Sequence, residues 1–511
     1  MKDIFKSRRT VLAQAIVLSV AGSAYADDTA AASAAVNALE YESVSELTAK
    51  MERNELTSVA LVKHLQARID ALDKQGPAIN AVMELNPQAI EIAMALDKER
   101  KDGKVRGPLH GIPVLLKDNV DTADTLQTSA GSLAMVGQPA ANDAFVVKQL
   151  RDAGAVILGK TNMSEWAYVR QMGLPHGWSA RGGQGKNPHV LGGEMCGSSS
   201  GSAAGVAAGF APLAIATETN GSITCPASAN GVVGIKPTLG LFSRSGIIPI
   251  TRLQDTPGTM TRTVLDAALM FNVLQGVDAS DAATSDAPVG VDYTALLAKD
   301  ALDGKRIGYP IEYLGPDGSV LRPGSEFLSA LATLEKQGAT LVPLKVRLPN
   351  IEGYFNVLMA GMKHELPEYL ASRSGLPIQT LQGLIDFNEL KPGPEGYGQQ
   401  MLKDISKLDM SHAQASELFA ALNASFKEAI DEQLTGHNLD ALIADADGYS
   451  QFSAAVAGYP AITLPSGMKG DGLPTSVFFY GPRWSEPKLL ALAYSYEQAS
   501  LERQAPAFKQ Q

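Results

Sequence analysis

Two serines stand in a stretch of the chain that has almost no charged residues. Ser198 lies in the run Gly-Ser-Ser-Ser-Gly at 197–201, and Ser222 follows an Asn-Gly pair, which favours a tight turn with positive φ angles. Ser, Gly and Ala dominate residues 197–238. A hydroxyl among free backbone N–H groups is the arrangement that a serine nucleophile with an oxyanion-binding site requires.

A lysine is the candidate base for such a nucleophile. Lys117 ends the short apolar run Pro-Val-Leu-Leu-Lys at 113–117, which predicts a buried strand. Desolvation lowers the pKa of a lysine from about 10.4 towards neutrality, the range that a general base needs. The alternative is a structural lysine whose ammonium group reaches solvent or pairs with Asp118.

Two other arrangements of a serine nucleophile are less consistent with the sequence. The pattern Gly-x-Ser-x-Gly would make Ser199 the nucleophile of a strand–turn–helix elbow, but residues 182–193 before it are rich in Gly, Asn and Pro and do not predict a strand. A serine–histidine triad, as in a serine esterase, would need a downstream histidine. The candidates occur in charged stretches with helical periodicity, which is typical of surface residues: His364, His412 and His437.

The chain resembles the amidase-signature hydrolases from about residue 46 to residue 497. The resemblance rests on Pro-Val-Leu-Leu-Lys-Asp-Asn at 113–119, Gly-Lys-Thr-Asn at 159–162 and the Ser/Gly-rich stretch at 196–238. It implies one α/β domain over residues 40–511, with a large mixed β-sheet covered by helices on both faces. Alternating helical and strand patterns along the chain agree with an α/β class, and residues 351–434 predict a helical elaboration of that domain.

The resemblance also implies a catalytic set of two serines and a lysine. Ser198 and Ser222 are 24 residues apart, the same spacing as in the family. Ser222 would be the nucleophile, Ser198 a bridging serine after a cis peptide bond, and Lys117 the base. The oxyanion would bind the backbone amides of Thr219, Asn220, Gly221 and Ser222. The implied reaction is hydrolysis of a carboxamide to a carboxylate and ammonia through an acyl-enzyme, without a metal or a cofactor.

The sequence departs from the family pattern close to both serines. Cys196 and Ser200 replace usual glycines, Asn220 replaces a glycine beside the nucleophile, and Thr224 replaces a common arginine. Loss of that arginine favours substrates with neutral acyl groups. The two serine motifs most resemble the peptide amidase branch, which deamidates C-terminally amidated peptides. The alternatives are a broad aliphatic or aryl acylamidase and an amidotransferase A-type subunit.

The overall charge limits the partners that we expect. The 511-residue chain has a formal net charge of −11 and no visible basic patch, which argues against nucleic acid or an anionic membrane as a partner. We expect a small-molecule or peptide amide substrate and a monomer or homodimer.

The first 26 residues have the features of an export signal. Basic residues, the apolar run at 11–20 and Ala-Tyr-Ala at 24–26 predict a signal peptide over residues 1–26. Ser-Arg-Arg-Thr-Val-Leu at 7–12 resembles a twin-arginine signal; a general secretory signal is the alternative. The mature protein would be periplasmic or secreted, with a disordered lead over residues 27–39.

The chain has two cysteines, Cys196 and Cys225. An exported protein could pair them in a disulfide, and two buried free thiols are the alternative. We expect free thiols. The spacing of the two residues matches no metal-binding motif.

Overall fold

The computed structural model describes residues 39–391 and 396–510. The predicted signal peptide lies outside the described residues, and so does the predicted lead apart from Leu39. That residue begins a short 3-10 turn over Leu39–Tyr41. None of the described helices is long and apolar enough to cross a membrane.

The chain alternates between strands and helices along most of its length. The strands are β1 (Val82–Leu85), β2 (Pro113–Lys117), β3 (Val156–Thr161), β4 (Trp178–Ser179), β5 (Gly183–Gln184), β6 (Leu213–Glu218), β7 (Val233–Lys236), β8 (Thr256–Thr261), β9 (Arg306–Leu314), β10 (Val320–Leu321), β11 (Thr340–Arg347), β12 (Ala441–Ala444), β13 (Ala461–Met468) and β14 (Pro474–Tyr480). The α-helices are α1 (Val44–Glu52), α2 (Ser58–Ile69), α3 (Ala89–Lys101), α4 (Phe145–Asp152), α5 (Ser200–Ala207), α6 (Thr224–Ala229), α7 (Val264–Leu274), α8 (Leu328–Lys336), α9 (Tyr354–Ala371), α10 (Leu381–Leu390), α11 (Gln400–Lys407), α12 (His412–Gly436), α13 (Tyr449–Ala457) and α14 (Glu486–Ser500).

Within the described residues, twelve strands form one large mixed sheet. Their order is β1-β3-β2-β6-β8-β7-β13-β14-β12-β9-β10, and β11 also pairs with β9. Strands β3, β2 and β6 are parallel neighbours, whereas β6, β8, β7, β13 and β14 are antiparallel in succession. The prediction of a single α/β domain with a large mixed sheet covered by helices is confirmed.

The parallel pair β2 and β6 brings two distant segments to one edge of the sheet. Val114 pairs with Leu213 and Leu116 pairs with Ile215, and every residue of both strands is buried. Continuous apolar runs of this kind are typical of parallel strands that are covered on both faces. Because the strands are parallel, their last residues lie at the same edge.

Helix α5 is made of small residues because it packs closely against this part of the sheet. All eight of its residues are buried. Gly201 shows how close the approach is, since a Cβ atom there would lie 2.4 Å from the carbonyl oxygens of Ala81 and Asn162. No larger residue fits at this point without moving the backbone.

The predicted helical segment 351–434 contains helices α9 to α12. An apolar cluster formed with Tyr313 and Leu344 joins α9 and α12 to the end of the sheet. A second cluster joins α9, α10 and α11 to the segment around Met163 and Trp166. The helices therefore form a wall beside the edge of the sheet at which β2 and β6 end.

Candidate active site

Lys117 lies at the end of β2 with its side chain completely buried. Its Nζ atom is 2.8 Å from Ser198 Oγ, 2.9 Å from Thr217 Oγ1 and 3.0 Å from the Thr217 carbonyl oxygen. Asn119 Nδ2 donates to the same Thr217 hydroxyl at 3.0 Å. These contacts fix the lysine beside Ser198 and make the alternative of a lysine that reaches solvent wrong.

Burial also changes the charge state that Lys117 prefers. Removal of the ammonium group from water lowers the pKa of Lys117 to about 7, although the negative charges of Asp255 and Glu218 act in the opposite direction. A neutral amine is therefore readily populated near neutral pH. Such an amine can accept a proton, which an ordinary lysine cannot do at this pH.

Two other lysines in the described part of the chain are buried but do not contact either serine. Lys160 on β3 donates to the Val120 carbonyl at 2.6 Å and to Thr128 Oγ1 at 2.9 Å. Lys236 donates to the Pro237 carbonyl at 3.1 Å. Burial lowers the pKa of both lysines to about 8. The contact with Ser198 distinguishes Lys117 from them, so a lowered pKa alone would not have identified the base.

Ser198 and Ser222 line the same cleft. The peptide bond between Gly197 and Ser198 is cis, and the Ser198 carbonyl accepts a hydrogen bond from the backbone of Ser164 at 3.0 Å. In the described part of the chain no direct hydrogen bond joins the hydroxyls of Ser198 and Ser222. Ser199, the nucleophile of the rejected elbow motif, is fully buried and its hydroxyl donates to the Thr217 carbonyl at 3.1 Å.

The turn between β6 and α6 presents free backbone donors to the cleft. Among the described residues, none of the four N–H groups expected to bind the oxyanion has a hydrogen-bond acceptor; they belong to Thr219, Asn220, Gly221 and Ser222. The next two N–H groups, of Ile223 and Thr224, both donate to Glu218 Oε2, at 2.7 and 3.1 Å. The Glu218 carboxylate thus occupies the donors at the start of α6 and leaves those before it available. Gly221 has a φ angle of +77°, which favours glycine at this position.

Side chains from three other segments hold this turn in place. Asn220 Nδ2 donates to Tyr354 Oη at 2.7 Å, and Gln451 Nε2 donates to Asn220 Oδ1 at 3.1 Å. Gln254 Nε2 donates to Tyr354 Oη at 2.9 Å and also contacts the Thr219 carbonyl. The asparagine that departs from the family pattern therefore connects the turn to helices α9 and α13.

A buried acid lies behind the turn. The Asp255 carboxylate accepts hydrogen bonds from the Thr219 hydroxyl and from the backbone N–H groups of Ile250 and Thr251. Burial raises the pKa of Asp255 to about 7. Because the Thr219 hydroxyl donates to this buried carboxylate, the Thr219 side chain is directed away from the cleft and into the protein.

The cleft in front of the two serines has a volume of about 340 Å³. Its walls combine polar atoms at the serines with apolar side chains that include Ile250, Phe355, Leu358 and Met401. Among its described lining residues there is no lysine or arginine. The site therefore suits an uncharged polar group attached to an apolar chain.

Thr224 does not face the cleft, contrary to the expectation from the family pattern. The side chain is completely buried, and its hydroxyl lies 3.3 Å from Glu218 Oε2, so the position does not line the cleft. The expected preference for neutral acyl groups stays a prediction, and the lack of basic side chains in the cleft now supports it.

The histidines considered as alternative bases lie elsewhere. His364 contacts the Met410 carbonyl at 2.9 Å and His412 contacts Glu365 at 3.4 Å, whereas His437 is exposed at the end of α12. His176, which the sequence did not indicate, lines the cleft and pairs with Glu194 through Nδ1 at 2.9 Å. It lies in an irregular segment, so no periodicity could have indicated its position.

The prediction that the two cysteines are free thiols is wrong. Cys196 and Cys225 form a disulfide, with Cα atoms 5.9 Å apart. The loop that carries Ser198 lies against the first turn of α6, and this brings the cysteines within disulfide range. The bond links the segments of the two serines directly.

Comparisons with known proteins agree with this geometry. A family model described as Amidase matches residues 60–444. The crystal structure of a native peptide amidase from Stenotrophomonas maltophilia has 43% sequence identity and a TM-score of 0.84, covering 91% of this chain and 98% of that chain. A probable amidase of Arabidopsis thaliana is 37% identical over 98% of this chain and 96% of its own length. The A subunit of the glutamyl-tRNA(Gln) amidotransferase of Ectopseudomonas mendocina is 33% identical over 91% of this chain and 98% of its own length.

The disulfide predicts the outcome of a thiol titration. Unreduced protein, denatured without reductant, should show no reactive thiol, and reduction should release two, because Cys196 and Cys225 are bonded to each other. A variant with both cysteines replaced by serine is the blank for the assay. Detection of two thiols before reduction would contradict the bond.

Proposed function

This chain belongs to the amidase family, and we propose that it hydrolyses the C-terminal carboxamide of peptides to a carboxylate and ammonia. The observation that carries the proposal is the contact of the buried Lys117 amine with Ser198 at the cleft that also contains Ser222. The 43% identity to a peptide amidase supports the choice of substrate.

The reaction begins with transfer of the Ser222 proton. Ser222 Oγ attacks the carbonyl carbon of the amide while its proton passes to Ser198, and the Ser198 proton passes to the neutral Lys117 amine at 2.8 Å. Ser222 and Ser198 must first come within hydrogen-bonding distance. Such a contact commonly forms only when substrate is bound.

The free N–H groups of the turn stabilise the tetrahedral intermediate. Negative charge develops on the former carbonyl oxygen, and the donors of Asn220, Gly221 and Ser222 are available to it. Collapse of the intermediate breaks the C–N bond. The leaving nitrogen takes a proton from Lys117 through Ser198 and departs as ammonia, and water then hydrolyses the Ser222 ester by the same route.

Other members of the family suggest two alternative functions. An acylamidase acting on aliphatic or aryl amides would use the same chemistry, and ammonia release from a panel of amides distinguishes it. The relatives also include an amidotransferase component. The predicted signal peptide and the disulfide disfavour that function, because disulfides persist mainly in oxidising compartments outside the cytosol.

Variants of the proposed catalytic residues test the mechanism. Lys117→Ala and Ser222→Ala should each lower kcat/KM for a peptide amide by at least about 10⁴-fold, and Ser198→Ala should be severely impaired, because each removes a necessary part of the proton route. Lys117→Met preserves most of the side-chain volume and should be equally inactive. Ammonia release measures activity, and circular dichroism establishes that each variant is folded.

Histidine variants are the matched controls. Replacement of His364, His412 or His437 by alanine should leave kcat/KM within about a factor of three, since none of them lines the cleft. His110→Ala should also lower kcat/KM far less than Lys117→Ala does, because the His110 side chain is buried against the Leu96 carbonyl and away from the serines. An inactive His176→Ala protein together with an active Lys117→Ala protein would show that a histidine is the base.

The pH dependence follows from the lowered pKa of Lys117. The base must be neutral, so kcat/KM should be constant above about pH 7 and fall about tenfold per pH unit below it. An acetylated peptide amide without ionisable groups is the substrate. To control for unfolding, the enzyme is incubated at each pH and its activity is then measured at about pH 8. A profile that stays flat well into the acidic range would contradict a Lys117 base with a pKa of about 7.

We also propose that the protein is exported, on the basis of the predicted signal peptide. Mass spectrometry of protein isolated from its native cells should find a mature N-terminus near Asp27, because Ala-Tyr-Ala at 24–26 is a cleavage pattern. Intact residues 1–26 on the isolated protein would contradict export by cleavage.

A further inference from the structure

A second and larger cavity adjoins the cleft of the two serines. It has a volume of about 760 Å³ and shares three lining residues with the cleft: Asp447, Gln451 and Phe452. All three lie at the start of helix α13 or just before it. The two cavities therefore meet along one turn of this helix.

Gln451 shows how near the second cavity lies to the reaction site. Its side chain donates to Asn220 at 3.1 Å, and a Cβ atom on Gly221 would lie 3.3 Å from Gln451 Oε1. The same side chain lines both cavities. A substrate chain that extends past Gln451 therefore leaves the turn that carries Ser222 and enters the second cavity directly.

Three packed aromatic rings run from one cavity to the other; Phe452 is partly exposed, whereas Tyr354 and Phe426 are buried behind it. Tyr354 lines the cleft, Phe452 lines both cavities and Phe426 lines the second one. The Phe452 ring lies 4.8 Å from the Tyr354 ring and 5.8 Å from the Phe426 ring. Contiguous apolar walls of this kind are typical of ligand sites.

Large apolar side chains are also exposed around both cavities. Phe355 at the cleft is 53% exposed, and Ile351 and Tyr449 at the second cavity are each 45% exposed. Clusters of exposed apolar side chains beside a cavity indicate a surface that is covered by a ligand. Here the second cavity is continuous with the cleft of the two serines, so a ligand that extends beyond the cleft would cover this surface.

The charged residues of the second cavity are acidic. Asp317 and Asp447 line it, and its described lining includes no lysine or arginine. Among the described residues the Asp447 carboxylate has no hydrogen bond or ion pair, and it lies where the two cavities meet. An upstream substrate residue with a positive charge would be attracted at this point, and one with a negative charge would be repelled.

We propose that the second cavity is a subsite for the residues that precede the amidated residue of a peptide, and that it selects apolar and positively charged residues there. This inference rests on the proposed function. It assigns Ile351 and the partly exposed Phe452 to binding of an apolar side chain and Asp447 to recognition of a cationic group. A single amidated residue would fill only the cleft, so chain length and upstream sequence should both affect turnover.

Four acetylated amides test the apolar part of the proposal and the charge preference. We expect N-acetyl-Leu-Leu-phenylalaninamide to have a kcat/KM about tenfold higher than N-acetyl-Gly-Gly-phenylalaninamide, because an apolar side chain is removed from water. N-acetyl-Lys-Leu-phenylalaninamide should exceed its Glu-Leu counterpart about 3- to 10-fold at low salt, and the difference should shrink in high salt. Equal values within both pairs would overturn the subsite.

Two variants with matched controls assign the preferences to residues. Ile351→Ser should bring the Leu-Leu to Gly-Gly ratio close to one, whereas Val277→Ser, at an exposed apolar residue outside both cavities, should preserve it. Asp447→Asn should reduce the Lys-to-Glu ratio to about twofold or less, whereas Asp409→Asn, at an exposed acid outside both cavities, should preserve it. Ratios that persist in Ile351→Ser and Asp447→Asn would overturn the proposal.

The small substrate N-acetyl-phenylalaninamide separates failure of the subsite from failure of the function. If wild-type protein releases ammonia from it and the upstream residues have no effect, the proposed function stands and the subsite is wrong. If wild-type protein releases ammonia from none of the five amides, the proposed function fails and the subsite fails with it.

Discussion

The burial of one amino group determines the chemistry available at this site. Lys117 is placed at the end of a strand that is covered on both faces, so its side chain cannot reach water. Among the described residues, its hydrogen bonds are to Thr217 and Ser198, at 2.8 to 3.0 Å. An amine held in this way retains hydrogen-bonding partners but loses most of the solvation that stabilises its charge, and its pKa falls to about 7. Strands β2 and β6 must be parallel neighbours for this contact to exist, because one supplies the lysine and the other supplies Thr217.

Glu218, the charged residue at the end of β6, has a different role from that of Lys117. Glu218 follows Thr217 directly, and its carboxylate accepts hydrogen bonds from the first two N–H groups at the start of α6. A carboxylate at a helix N-terminus is a common stabilising feature. Here it also limits the unsatisfied donors to the turn that faces the cleft. Tyr354 and Gln451 hold that turn through Asn220, so the donors are fixed by packing from two helices before any substrate binds.

The walls of the cleft come from segments that are far apart in the chain. The serine loop and helix α6 are linked by the disulfide, whereas α9 and α13 close the opposite side. The apolar surface continues from Tyr354 through Phe452 into the neighbouring cavity. The helical segment and the start of α13 therefore contribute to the walls of both cavities, whereas Lys117 lies at the edge of the sheet.

The sequence alone was sufficient to predict the α/β class and to identify Lys117, Ser198 and Ser222 as candidate site residues, because runs of apolar residues and turn-forming pairs are encoded locally. The family and the roles of these residues came from the resemblance to the amidase-signature hydrolases. The disulfide between Cys196 and Cys225 could not be predicted from such local patterns. Cys196 and Cys225 are 29 residues apart, and only the packing of the loop on α6 brings them together. The same applies to His176 and to the polar contacts of Asn220, because those neighbours belong to distant segments whose positions depend on how the whole sheet and its helices pack.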